Sequence, residues 1–134
     1  MLLARWRKNP VRADPDETGI YPFIWEQGRL QVKAAFESLI KDNLGGVPLP
    51  AISARFHNGL AQIVRVIAVD LQGRYGIHEV ALSGGVWQNI TLLRRTLPLL
   101  QESGLRVYIH RKVPANDGGL SLGQAFIAAN RLSE

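Results

Sequence analysis

The spacing of apolar residues changes period several times along the chain, and each change marks a predicted element. Val32, Ala35, Phe36, Leu39 and Ile40 fall on one face at helical spacing, and Gly45-Gly46 supplies a left-handed stop. Beyond the stiff connector Val47-Pro48-Leu49-Pro50, the residues Ile52, Phe56, Leu60, Ile63 and Ile67 recur at alternating helical intervals. They predict a second helix to about Asp70, followed by a glycine-containing loop from Leu71 to Ile77. Val80, Ala81 and Leu82 then form a short apolar run that reads as a buried strand over Glu79 to Leu82. After Ser83-Gly84-Gly85 the helical period resumes at once, with the stripe Val86, Ile90, Leu93, Leu97 and Leu100, and Gly104 ends it. Pro98 sits inside this stripe, where a missing N–H and a crowded Arg94 carbonyl predict a kink or an early loosening.

Leu105, Val107 and Ile109 alternate with Arg106, Tyr108 and His110, as a strand with one exposed face would. Strand, helix and strand follow one another within about thirty residues, which predicts parallel neighbours joined by a right-handed crossover. A last helix, Leu120 to Arg131, carries Gly123, Ala125, Ala128 and Ala129, whose small side chains suit close packing on neighbours. Upstream, Tyr21-Pro22-Phe23-Ile24-Trp25 and Leu30-Gln31-Val32 flank a glycine turn and suit a small hairpin. Residues 1–20, with Pro10, Pro15 and Gly19, read as an irregular or flexible lead-in.

Composition narrows the options further. A chain of 134 residues with 46% hydrophobic positions is long enough for one core and too short for two ordinary domains. It has no Cys, so disulfides, thiol catalysis and Cys-ligated zinc are excluded, in keeping with a cytoplasmic location. Met1-Leu2-Leu3-Ala4 is broken at once by Arg5, Arg7 and Lys8, so neither a signal peptide nor a membrane span is expected there. The net charge of +5 is spread thinly apart from Arg5 to Arg12, Arg94-Arg95 and Arg111-Lys112, and no basic stripe is interleaved with aromatics. Nucleic acid is therefore not an expected partner.

The chemistry concentrates at the ends of the two predicted strands. In a parallel sheet, ligands bind outside the carboxyl ends of the strands, which here carry Ser83-Gly84-Gly85 and Asn116-Asp117-Gly118. The diglycine turn can expose backbone N–H groups at a helix start, a setting suited to a phosphate or a sugar hydroxyl. Asn89 offers an amide toward a sugar or base, or is simply a solvated first-turn residue. Asp117 offers a carboxylate for a metal, or caps the helix ahead of Gly118. Ser83 lacks the glycine two places upstream that a hydrolase elbow needs, so a nucleophile reading is set aside. His57, His78 and His110 are isolated in sequence and read as packed or surface histidines rather than metal ligands.

Three motifs taken together resemble one family. Ile52-Ser-Ala-Arg-Phe-His-Asn58, Leu82-Ser-Gly-Gly-Val-Trp-Gln-Asn89 and His110-Arg-Lys-Val-Pro-Ala-Asn-Asp-Gly-Gly-Leu-Ser-Leu-Gly-Gln124 are similar to the closing part of HypF, the carbamoyltransferase of [NiFe]-hydrogenase maturation. The likeness runs from about residue 21 to the end, so that 21–134 would be the C-terminal portion of its nucleotide-binding domain. More distantly it extends to the enzymes making threonylcarbamoyl-adenosine in tRNA. It implies an α/β fold of the actin and sugar-kinase (ribonuclease H-like) type, here partial, mostly helical, with a small sheet containing a parallel strand pair.

The same likeness implies carbamoyl phosphate and ATP with magnesium as substrates, a carbamoyl-adenylate intermediate, and a HypE-like acceptor protein carbamoylated on its C-terminal Cys. Ser83, Gly84, Gly85, Asn89 and Gly118 match the nucleotide-binding positions, and Asp117 matches an aspartate of the metal site; no catalytic residue is assigned. The family's histidine pair, acylphosphatase-like segment, zinc-finger segment and upstream nucleotide-binding strands have no counterpart in this sequence. The expectation is thus a C-terminal fragment or split relative, inactive by itself and completed by the absent N-terminal part or by self-association. The alternative is a non-catalytic module that dimerises or docks on a partner.

Overall fold

The structure, a computed structural model, describes residues 12–131. The apolar opening and the basic positions Arg5, Arg7 and Lys8 lie outside the described residues, as do residues 132–134. Strands β1 (Ile24–Glu26) and β2 (Arg29–Gln31) pair antiparallel as the expected hairpin. Its turn places Gln27 at φ 51° and Gly28 at φ 73°, and two successive positive φ values give the twist that matches a two-residue hairpin loop. Helix α1 (Lys33–Leu44) follows, then α2 (Leu49–Tyr75), β3 (Glu79–Leu82), α3 (Ile90–Glu102), β4 (Arg106–Ile109) and α4 (Leu120–Arg131).

Helix α2 is longer at both ends than the apolar stripe predicts. Leu49 and Pro50 belong to its first turn, where proline loses no hydrogen bond, so the expected connector shrinks. At the other end Gly73 is absorbed within the helix, and the stop is Gly76, whose φ of 66° and N–H bond to the Gln72 carbonyl close a left-handed cap. The loop expected from Leu71 therefore begins only after Tyr75.

This helix organises the molecule, because its two halves serve two cores. Near its start Ile52 packs with Tyr21 and Ala35, flanked by Phe23, Leu39 and Phe56. The Phe23 and Phe56 rings meet edge to face at 5.8 Å, a favoured aromatic geometry. Toward its end Val64 and Ala68 cover Leu82, Leu100 and Leu105, the second cluster, which joins the helix to β3, α3 and β4. Strands β3 and β4 pair parallel, from Glu79 opposite Arg106 to Leu82 opposite Ile109, with α3 in the connection. They form a sheet of their own, separate from the hairpin.

Residues 12–20 are without helix or strand, yet they are pinned down. Asn58 on α2 donates to the carbonyls of Glu17 at 3.0 Å and Gly19 at 2.9 Å, and the Asp14 N–H donates to the Pro50 carbonyl at 3.0 Å. Gly59 is what lets this segment approach, since a Cβ there would lie 2.5 Å from the Tyr21 carbonyl oxygen. Arg55 then bridges Glu17 at 3.0 Å and Asp42 at 2.8 Å, and Asp42 also accepts from the Tyr21 hydroxyl at 2.8 Å.

Helix α3 buries the expected leucines, Leu100 fully and Leu93 and Leu97 partly against the second core, but not the start of the stripe. Leu92, Thr96 and Leu100 are its buried residues, whereas Val86 and Ile90 are exposed. Thr96 is tolerated in the core because its hydroxyl donates to the Leu92 carbonyl at 2.8 Å. The helix also continues past Pro98 to Glu102 rather than loosening there. Helix α4 departs most from expectation: none of its residues is buried, and nothing lies near the missing Cβ of Gly123. None of its small residues is buried among the described residues.

Candidate functional site

The two strand ends meet. Because β3 and β4 are parallel neighbours, Ser83-Gly84-Gly85 and the loop from Pro114 to Gly119 leave the sheet on the same rim. They are tied together directly, the Gly84 N–H donating to the Ala115 carbonyl at 2.7 Å. Gly84 has φ 99° and ψ 160°, a backbone region open to glycine and strained for any other residue. A cleft of about 350 Å3 opens between this turn and the start of α4, lined by Ser83, Gly84, His110, Asn116, Asp117 and Gln124 among others.

Downstream of the turn, Gly85–Gln88 is a single 3-10 turn and the α-helix begins only at Ile90. Asn89 is therefore the N-cap of α3 rather than a residue of its first turn, and its Oδ1 accepts from the Leu92 N–H at 3.1 Å. Its Nδ2 lies 2.9 Å from Nε2 of His57 on α2. The amide expected to face a ligand is thus largely occupied by the protein itself, with one Nδ2 N–H left over.

On the opposite loop, the capping role weighed for Asp117 belongs to its neighbour. Asn116 Oδ1 accepts from the Gly118 N–H at 3.0 Å, which uses that glycine's donor. The Asp117 carboxylate is exposed at the cleft, and no hydrogen bond or ion pair within the described residues engages it. As a metal ligand it stands alone: no group of three His, Cys, Asp or Glu side chains among the described residues could hold an ion. The described residues do not by themselves make a metal site.

Two pairings escaped the linear reading. Ser83 Oγ and His110 Nε2 lie 2.9 Å apart across the ends of β3 and β4, and His57 meets Asn89 as above. In both cases the partners stand about thirty positions apart, and only the quoted Arg-Phe-His-Asn and Leu-Ser-Gly-Gly motifs hinted at them. His78, the third histidine, lies beside Gln72 at 3.1 Å. Among the described residues no helix is long and apolar enough to cross a membrane.

Comparison with known proteins gives this geometry a context. Residues 8–124 match the family model "Carbamoyltransferase, Kae1-like Domain, second subdomain". Carbamoyltransferase HypF of Synechocystis is 38% identical over 73 residues, which is 54% of this chain and 9% of that protein. A tRNA N6-adenosine threonylcarbamoyltransferase of Prochlorococcus marinus is 25% identical over 116 residues, 85% of this chain and 32% of the relative. Among solved structures, full-length HypF in a phosphate- and nucleotide-bound form superposes with a TM-score of 0.80 at 37% identity, covering 92% of this chain and 17% of that one. The chain thus spans a small part of the length of the proteins it matches.

Proposed function

The chain belongs to the HypF carbamoyltransferase family, in the second subdomain of its Kae1-like domain, and from that membership we propose that it forms one wall of a nucleotide-binding cleft. The observation that carries this reading is the joined rim. The diglycine turn and the Asn116-Asp117 loop border one cleft and are held together by the Gly84 to Ala115 hydrogen bond. At such a rim the first two amides of the 3-10 turn, those of Gly85 and Val86, suit a phosphate, whereas the Trp87 N–H bonds back to the Gly84 carbonyl. In this assignment Ser83, Gly84, Gly85, Asn89 and Gly118 shape the nucleotide side. Gly84 and Gly118 act through backbone conformation, since their N–H groups are engaged elsewhere.

Asp117 contributes one carboxylate to a metal site whose other ligands come from the rest of the domain, and magnesium accompanies the ATP. The reaction proposed for the complete enzyme is the family's carbamoyl transfer. Carbamoyl phosphate, water and ATP give a carbamoyl-adenylate with release of phosphate and pyrophosphate, and the carbamoyl group then passes to the C-terminal Cys of a HypE-like acceptor in the cytoplasm as AMP leaves. This chain holds the nucleotide and supplies no assigned catalytic residue. Titration of ATP and magnesium against the chain, alone and with a first subdomain supplied in trans, tests the reading. Binding restored by the added part supports it, and absence of binding in both defeats it.

A second reading rests on α4, where Leu120, Leu122, Phe126 and Ile127 are all more than half exposed. A helix with that much apolar surface fits a module that dimerises or docks on a partner protein without catalysis. Sizing at several concentrations separates the two readings. Self-association that persists in Asn89→Ala and Asp117→Ala variants, with no nucleotide binding, favours the second.

A further inference from the structure

Asn89 sits at the junction of the 3-10 turn and α3, and three donors and acceptors decide how its amide points. The Leu92 N–H can only donate, so it takes Oδ1 at 3.1 Å and leaves Nδ2 facing His57 Nε2 at 2.9 Å. The other ring nitrogen, Nδ1, lies 2.7 Å from the Ser53 carbonyl, which can only accept. Nδ1 therefore carries the proton of the neutral ring, and Nε2 presents the lone pair that the Asn89 amide needs. The chain Ser53 carbonyl, His57, Asn89, Leu92 N–H is consistent in every direction. It runs from α2 to the cap of α3, one 3-10 turn beyond the Ser83-Gly84 bend that lines the cleft.

The next residue reinforces the link. Asn58 Oδ1 accepts from Arg95 Nη1 on α3, so α2 grips that helix at its cap and again further along. We propose that His57 is a positioning residue of the nucleotide site: by accepting from Asn89 Nδ2 it aims the amide's second N–H and fixes the diglycine turn against α2. The proposal rests on the nucleotide reading above and adds to it a residue on a different element, which that reading does not use.

The test measures ATP affinity of the chain joined by the first subdomain in trans, for wild type, His57→Leu and His57→Gln. Loss of one hydrogen bond of this kind corresponds to roughly tenfold weaker binding in His57→Leu. Gln retains an acceptor and should return affinity to within about twofold, a rescue that mere space filling would not give. In an Asn89→Ala background the His57→Leu change should have no further effect, because the coupling runs through that amide. Imidazole 15N shifts of the wild type should report the Nδ1–H tautomer, a readout independent of ATP.

Wild-type affinity retained by His57→Leu overturns the proposal while leaving the nucleotide reading in place. Equal loss in His57→Leu and His57→Gln, or an Nε2–H tautomer, also overturns it. A wild type that binds no ATP overturns the nucleotide reading, and this inference falls with it.

Discussion

The Gly84 N–H donates to the Ala115 carbonyl at 2.7 Å, a backbone contact that joins the turn after β3 to the loop after β4. Gly84 makes it at φ 99°, a conformation that glycine adopts without the strain another residue would carry. Gly84→Ala should cost about 1–3 kcal/mol through backbone strain and should open the cleft. Thermal unfolding measures the first effect. Loss of protection of the Gly84 amide against hydrogen exchange, compared at matched stability, measures the second.

Asp117→Asn offers the converse case. The carboxylate is exposed and engages no side chain or backbone group among the described residues, so unfolding free energy should change by less than about 0.5 kcal/mol. Magnesium-dependent ATP binding in the presence of the first subdomain should nonetheless weaken by roughly tenfold or more. Unchanged magnesium dependence in a calorimetric titration would remove Asp117 from the proposed metal site.

Gly59→Ala should be among the most damaging single changes in the chain. The added methyl would stand 2.5 Å from the Tyr21 carbonyl oxygen and 3.0 Å from the Phe23 ring, and backbone cannot yield as a flexible side chain can. A cost of about 1–3 kcal/mol is expected. Because the strain falls on the contact between residues 19–23 and α2, proteolysis should cut near the lead-in sooner than elsewhere.

Leu100→Ala tests the second core. Leu100 is fully buried against Leu82 and Leu105, so truncation should cost about 2–5 kcal/mol. Ile90→Ala, a similar change at an exposed position of the same stripe, should cost far less, and comparing the two denaturation midpoints checks that burial in α3 begins beyond its first turn.

Stability should fall at both ends of the pH scale, for opposite reasons. Glu17 is held below its ordinary value by the Gly19 N–H and Arg55, Asp42 by the Tyr21 hydroxyl and Arg55, and Asp70 by the Trp25 indole N–H. For lowered carboxylates the unfolded chain takes up protons first, so their contribution is present above about pH 4 and is lost as pH falls through the folded values. Tyr21 goes the other way. Burial, then the Asp42 carboxylate, push its hydroxyl from 10.0 up to about 12. Its contribution is complete below the unfolded value and is lost as pH rises from about 10 to about 12. Tyr21→Phe should abolish the alkaline loss while leaving most of the acid loss, measured by denaturant unfolding at a series of pH values.

Where local rules dominate, the chain is readable without coordinates. The glycine after α1, the glycine-containing hairpin turn, the alternation of β4 and the paired rim of β3 and β4 all follow from spacing and turn chemistry. The errors also have local causes. Gly73 reads as a breaker, but a solvent-facing helix tolerates it and Gly76 alone adopts the left-handed cap. The α3 stripe holds at Leu93, Leu97 and Leu100, but its first members, Val86 and Ile90, fall before and within the first turn and are exposed.

By itself the sequence determined the order and type of the elements and the place where two parallel strands end together, because period, proline and glycine act within a few residues. Only the tertiary structure decided that Thr96 is core, that Asn116 rather than Asp117 caps the last helix's leading turn, and that His57 holds Asn89. Those outcomes depend on which donors and acceptors arrive within about 3 Å of one another. Partners some thirty positions apart leave no mark in local spacing. The exposed apolar surface of α4 belongs with them, since a helical pattern shows which side is apolar but not whether anything covers it.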